Sequence, residues 1–451
     1  MRASVNFTKV LLLSAALLLP GCALQQWQVN SITDQLQQGR PELALSAMQA
    51  LEPSDRDKAQ YLLNLGMLKH LNGDIEGSIT DLQTATALME LLQAISVREA
   101  LSAATVNETL RAYPGSPAEQ ILAQQLLALN YLALGDLDGA RVEILKADVL
   151  MRQPVYDDKI VGQLASARMI AGLVYELGTE WDNALISYRR AANLMTERGH
   201  TLPPALQDSL LRMTKRVGIS DEYQQYVNRF GRDAYFPKSD EAEVIAIYWQ
   251  GLVSPKEQAR ISIYAPGLDQ FVSIAVPRYR NSRAPMNESL LSVGQYKTST
   301  KLLESVDELV REDLDAAMPK INATTLVRVV AKQQMVAKAR KKNEKNDSNA
   351  FAVLAIITEI TANLTEIADV RSWNTLPSNI QIARITVPVG NYPIMLGRNN
   401  VAPISSSQAV DNSAAGNQDT SNSTMLNLAK GQKAIILGNS LGTQLYNYKT
   451  R

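Results

Sequence analysis

Histidine occurs twice in this 451-residue chain, cysteine once, and neither sign of charge is in excess. Each shortage removes a class of function. A lone cysteine permits no disulfide within the chain, so packing must supply the stability. His70 and His200 have no neighbours at metal-ligand spacing, which sets metal binding aside. A Ser-His-Asp triad would have to use one of these two histidines. No phosphate loop or dinucleotide fingerprint is present, and no metal, cofactor or catalytic residue is assigned. Lys plus Arg equals Asp plus Glu at 45 each, which leaves no overall field to attract nucleic acid. Long hydrophobic runs are missing as well: the longest after residue 22 is Phe351 to Ile357, and Glu359 ends it. That is far below the ~20 residues needed to cross a bilayer.

What is present begins with Leu18-Leu19-Pro20-Gly21-Cys22. Arg2 and Lys9 lie in a positive leading segment, and Val10 to Leu19 is apolar except for Ser14. This fits a secretory leader of residues 1–21, too short to span a membrane. A small residue and then Cys at the cleavage point resembles the lipobox of bacterial lipoproteins. The resemblance implies that Cys22 becomes the N-terminus, carries acyl chains and ties the chain to a membrane. The residue after the cysteine is Ala23 and not Asp, a pattern that in Gram-negative lipoproteins looks like release to the periplasmic face of the outer membrane.

Repeats occupy the next part. Gly39 and Gly73 are 34 residues apart, the tetratricopeptide (TPR) period. Around Gly73 the positions Leu62, Leu65, Gly66, Ser78, Leu82 and Ala85 carry the repeat's alternation of small and large residues. Gly66 and Ser78 fall where two helices of a pair would cross, and Gly73-Asp74 ends one helix and caps the next. Further copies centre on Gly135-Asp136 and on Gly172, Ala184 and Tyr188. The spacing between copies is irregular, with an extra helix expected at about Leu82 to Ala104 and a loop at Pro114, Gly115 and Pro117. Residues 22–235 are therefore predicted to form a TPR-like helical solenoid. Its concave face either binds a partner or braces the rest of the chain. His70 is expected at the surface, at the end of a repeat helix.

From Glu243 the period changes, and residues 236–451 read as a mixed α+β domain. The overall class is α plus α/β. Val244–Trp249 reads as a buried strand, and Arg260–Tyr264 and Phe271–Val276 as a hairpin turned by Pro266-Gly267. Helices are expected at about Thr300–Ala317, Ala323–Lys342 and Ala350–Asp369, the second ending in Lys338, Arg340, Lys341, Lys342 and Lys345. That basic end suits a helix dipole or an anionic lipid surface. Glu312 and Asp313 are expected to be solvated, although a carboxylate pair brought together by folding would suit hydrolysis. Strands follow at Ile380–Val387, Tyr392–Leu396, Thr424–Leu428 and Ala434–Gly438. Between them, residues 399–424 contain 11 Ser or Asn among 26 residues and read as a flexible loop. Asp369, Arg371, Trp373 and Pro377 form one further constellation. Arg and Trp are common interaction anchors, or else Trp373 lies in the core with Arg371 paired to Asp369.

Tyr113-Pro114-Gly115 with Glu119, Ala128 to Leu132, Gly135 to Ala140, Lys146-Ala147-Asp148, Ala368 to Trp373 with Leu376-Pro377, and Gln381 to Arg384 together resemble a family of Gram-negative lipoproteins with TPR-like repeats. This chain departs from the family where a Gly/Ala-rich run often precedes the Asp-Val-Arg-Ser-Trp segment; here that run is rich in Ile and Thr. Genes of this family often neighbour those of small lipoproteins that activate penicillin-binding proteins. The resemblance implies a protein partner in the periplasm or outer membrane and a part in cell-envelope or peptidoglycan assembly. Tyr113, Glu119, Tyr131, Arg371 and Trp373 are the candidate partner-binding residues. The function expected from the sequence is a non-enzymatic interaction scaffold. An envelope hydrolase using carboxylates of the second half, or an accessory for outer-membrane assembly or secretion, stands as the alternative.

Overall fold

The computed structural model describes residues 23–99, 112–153, 160–280, 287–343, 367–397, 424–442 and 445–450. Cys22 and the leader, the helix expected at 350–369 up to residue 366, and nearly all of the Ser/Asn-rich loop lie outside them.

Five helical hairpins come first. They are α1 (Ala23–Gln37) with α2 (Pro41–Gln49), α3 (Lys58–Leu71) with α4 (Ile75–Glu99), α5 (Pro117–Ala133) with α6 (Leu137–Arg152), α7 (Ala165–Leu177) with α8 (Trp181–Glu197), and α9 (Pro204–Val217) with α10 (Ser220–Phe230). Each packs mainly on its neighbours in chain order. The turns use the residues the pattern requires. Gly73 adopts φ +92° and Gly135 φ +79°, where a side chain would be strained. The next residue then caps the following helix: Asp74 accepts from Gly77 N at 2.9 Å and Asp136 from Gly139 N at 2.8 Å. Within the α3–α4 pair the backbones nearly touch. A Cβ on Gly66 would lie 2.7 Å from Leu82 Cγ, and Ser78 Oγ donates to Gly66 O at 2.6 Å. The extra helix expected at Leu82–Ala104 is not separate; it is the continuation of α4, which starts at Ile75.

The second half begins with β1 (Glu241–Gln250), the centre of a five-stranded sheet. β1 runs parallel to β10 (Lys433–Asn439) and antiparallel to β7 (Asn379–Pro388). β6 (Lys301–Ser305) and β11 (Tyr446–Lys449) form the edges. A four-stranded sheet combines β4 (Leu290–Val293), β5 (Tyr296–Ser299), β8 (Gly390–Gly397) and β9 (Thr424–Leu428) in the order β5-β4-β8-β9. The alternation of β1 decides the layering. Ile245, Ile247 and Trp249 join a core continuous with the helices, whereas Ala242, Val244, Ala246 and Tyr248 face the four-stranded sheet. The order is therefore helices, five-stranded sheet, four-stranded sheet.

β2 (Lys256–Ala265) and β3 (Gln270–Tyr279) form the hairpin expected from the sequence, and it packs on α11 (Val306–Asn343) with a small core of its own. The two helices expected between Thr300 and Lys342 are one helix of 38 residues that continues through Pro319. The first residues of the expected segment, Lys301–Ser305, are instead the edge strand β6. Val329 is buried under the hairpin and Met318, Leu326 and Val330 pack partly buried beside it, on both sides of the proline, and this packing sustains the helix where local propensity would break it.

Candidate functional site: the inner face of the helical hairpins

The first helices of three hairpins are buried almost all round. Gln60, Asn64, Gln120, Gln124, Gln125 and Asn130 of α3 and α5 are inside, as are Arg168 and Glu176 of α7. Buried amides of this kind need hydrogen-bond partners, and an irregular strap of the second half supplies several. Gln60 Nε2 donates to Ser372 O at 2.8 Å, Asn64 Oδ1 accepts from Thr375 N at 3.1 Å, and Glu119 Oε1 accepts from Trp373 N at 2.7 Å. Gln60 and Asn64 stand one turn apart on α3, so they meet the strap at two points three residues apart, the second in the turn at Asn374-Thr375. The strap lies across the helices as a bound peptide would, but it belongs to the same chain.

The expected partner-binding residues are concentrated here. Trp373 is fully buried, with Nε1 donating to Thr375 Oγ1 at 3.0 Å. Arg371 bonds Asp369 at 2.6 Å, Asp57 at 3.1 Å and Arg56 O at 3.2 Å, and its guanidinium lies 5.6 Å from the centre of the Tyr113 ring. Burial works against the Arg371 charge, but Asp369 and Asp57 outweigh it and hold its pKa above the ordinary value. Glu119 closes a capping box with Ser116 at the start of α5 and also accepts from the Tyr113 hydroxyl. Burial, then the Glu119 carboxylate, pushes the Tyr113 hydroxyl pKa up. The chain itself is thus the partner that Tyr113, Glu119, Arg371 and Trp373 touch. Tyr131 lies elsewhere, half-buried near the α5–α6 turn, where its hydroxyl accepts from Gln83 Nε2 at 2.9 Å.

Two carboxylates from the second half cap helices of the first. Glu304 on β6 accepts from Ser166 N at 2.9 Å at the start of α7, and Asp313 on α11 accepts from Ala118 N at 2.7 Å at the start of α5. Burial raises the Glu304 pKa to about 7, against the pull of Arg198, and that of Asp313 to about 6, against the bond from Ala118. The expectation that Asp313 is solvated is therefore corrected; it is 3% exposed because the start of α5 needs an acceptor there. Glu312 pairs with Arg198 at 2.8 Å.

An ion network fills the other end of the joint. Glu176 of α7 accepts from Tyr188 OH at 2.6 Å, from Lys433 of β10 at 2.5 Å and from Arg384 of β7 at 3.3 Å. Arg212 of α9 bonds Glu243 of β1. Burial opposes the Glu176 charge, but Arg384 and then Lys433 hold its carboxyl below the usual range. Charges buried at this depth persist only when paired, so the pairs fix which face of the sheet meets α7–α9.

His70 is also internal, which corrects its expected surface position. Its Nδ1 lies 2.7 Å from Asn130 Oδ1, and its ring packs against Tyr446 and Trp249. Burial lowers its pKa to about 4. It borders a shallow, partly open cleft lined also by Leu71, Leu437, Gly438, Asn439, Gly442 and Tyr446. Among those residues no second titratable partner stands beside the imidazole except the Tyr446 hydroxyl, which donates to His70 O at 2.5 Å. Among the described residues no group of three or more His, Cys, Asp or Glu is placed to hold a metal ion. No described helix is long and apolar enough to cross a membrane.

No family model matches the chain, and no curated protein matches it. Solved structures of MamA are similar over somewhat less than half of the chain. "MamA 41-end from Desulfovibrio magneticus RS-1" is 15% identical, with 46% of this chain and 90% of that chain covered and a TM-score of 0.30. "MamA MSR-1 C2" is 13% identical over 46% and 94%, with a TM-score of 0.29. "Crystal structure of MamA" is 17% identical over 44% and 90%, with a TM-score of 0.30. At these values the likeness carries no inference about this chain.

Proposed function

We propose that this chain is a lipoprotein, acylated at Cys22 and held at the periplasmic face of the outer membrane, that serves as a non-enzymatic scaffold for a protein partner in cell-envelope assembly. The leader and its Cys22 motif support the placement. One observation carries the scaffold reading: the helical hairpins use their inner face within the chain and leave apolar side chains on their outer one. On α6, Val142, Leu145 and Val149 are 50%, 39% and 58% exposed and, at spacings of three and four, share one helix face. Ile186 on α8 and Leu134 at the α5–α6 turn are also exposed, with Tyr131 near the same turn. The partner is therefore met on the outer helices and not in the groove, which the strap fills. The buried carboxylates Glu304 and Asp313 are engaged by helix N–H groups, so nothing favours the hydrolase alternative over the scaffold.

The test is photocrosslinking in living cells from position 149, compared with position 373. A specific envelope protein trapped from 149, and lost when Val142, Leu145 and Val149 are changed together to Ser, is the expected outcome. Trapping only from 373 would place the partner in the groove and contradict the reading. Absence of labelled palmitate on the protein would remove the membrane placement.

A further inference from the structure

We propose that the β2–β3 hairpin and the distal half of α11 form an arm that contacts a bilayer surface bearing anionic headgroups. The first observation is a change of sign along one helix. From Val306 to Met318, α11 carries Asp307, Glu308, Glu312, Asp313 and Asp315 against one base, Arg311. From Lys320 to Asn343 it carries seven Lys or Arg and no Asp or Glu. A helix dipole favours cations in its last turn only, and this stretch covers about six turns. The dipole therefore does not account for it.

The second observation is where the basic stretch lies. The hairpin's inner face, with Ala265, Val272, Ile274 and Val276, packs on Val329 and its neighbours. Gln270, at the start of β3, donates from Nε2 to Gln333 Oε1 at 3.2 Å. The hairpin's turn is thus level with Gln333, and the helix runs on for ten more residues, about 15 Å. Lys338, Arg340, Lys341 and Lys342 belong to that extension.

The third observation is aromatic. Phe271 is 72% exposed, the highest value among the described large hydrophobic residues, and Tyr264 beside it is 45% exposed. Their rings meet edge to face, with centroids 5.6 Å apart, on the outer face of the hairpin next to the turn. A purely ionic partner has no use for an exposed phenyl ring. A bilayer interface takes both groups, with aromatic rings at headgroup level and cations against anionic lipid. This contact goes beyond attachment through Cys22 and does not depend on it.

Flotation with lipid vesicles tests the arm, using the chain from Ala23 onward, which keeps every described residue. Vesicles of phosphatidylcholine alone are compared with vesicles that also contain phosphatidylglycerol. Binding to the mixed vesicles only is expected, with release at about 0.5 M salt as screening sets in. Phe271→Ser with Tyr264→Ser is expected to lower the bound fraction about fivefold. Neutralising Lys338, Arg340, Lys341 and Lys342 to Gln is expected to lower it about tenfold. The two variants alter different elements, so a folding defect in one leaves the other to decide, and unchanged melting temperatures identify the usable one. No binding to the mixed vesicles, or binding indifferent to Phe271, overturns the proposal. So does retention on peptidoglycan sacculi that needs the lysines and not the phenyl ring. Neither acylation nor a protein partner enters this assay, so its failure leaves the scaffold reading standing.

Discussion

Glu304 is an expensive residue to bury, and its position explains why it is there: the start of α7 presents Ser166 N to it, and Arg198, 3.8 Å away, offers a countercharge. Burial therefore sets its folded pKa at about 7, above the ordinary 4.5. A carboxyl raised in this way adds stability that is complete below about 4.5 and is lost as the pH rises through about 7. Asp313 acts in the same direction with a folded value of about 6. His70 acts oppositely: lowered from 6.5 to about 4, it adds stability that is complete above about 6.5 and is lost as the pH falls toward 4. Glu304→Gln keeps a neutral acceptor for Ser166 N and removes the charge. It is expected to exceed the unaltered protein in stability at pH 8 by on the order of 1–3 kcal/mol and to match it at pH 4.5, read from urea melts. A loss of stability at pH 8 would instead mean that the ionised carboxylate is held by Arg198.

At the scale of elements, the helical pairs were legible because small residues at crossings leave a clear trace. Gly66, Ser78 and Leu82 occupy the contact the repeat pattern assigns to them. Gly66→Ala forces Leu82 aside or parts α3 from α4, and urea melts are expected to show a loss of about 1–3 kcal/mol; no loss would mean that the two helices are less closely seated. The β2–β3 hairpin was legible from its alternation and its Pro-Gly turn. β4, β5 and β11 were not, since four residues are too few to show a period, and β6 was absorbed into the helix expected from Thr300. α11 was misread as two helices because Pro319 is a strong local signal, whereas the packing that overrides it comes from residues some fifty positions earlier in the chain. The candidate residues Arg371 and Trp373 were visible as a cluster, but which surface they meet was not. The amides along α3 were the available clue: Gln60 and Asn64, buried on a largely apolar helix, call for a polar partner inside.

At the scale of the molecule, the two halves share one core. Leu63, Leu68, Leu122 and Leu126 of the helices and Ile245, Trp249, Trp373, Leu376 and Ile435 of the second half belong to the same buried cluster. The ion network and the two carboxylate caps close the same joint, so the helical array and the sheet form a single unit whose inner face is satisfied by its own strap. Amide hydrogen exchange of the isolated protein across residues 368–378 tests this most directly. The strap has no helix or strand over Ala368–Trp373, so unbound it would exchange at the rate of an open chain. With Trp373 N held by Glu119 and Thr375 N by Asn64, strong protection at both amides is expected, comparable to that of β1 and lost only on global unfolding. Open-chain exchange at Trp373 and Thr375 while β1 stays protected would contradict the account and return the groove to an outside partner.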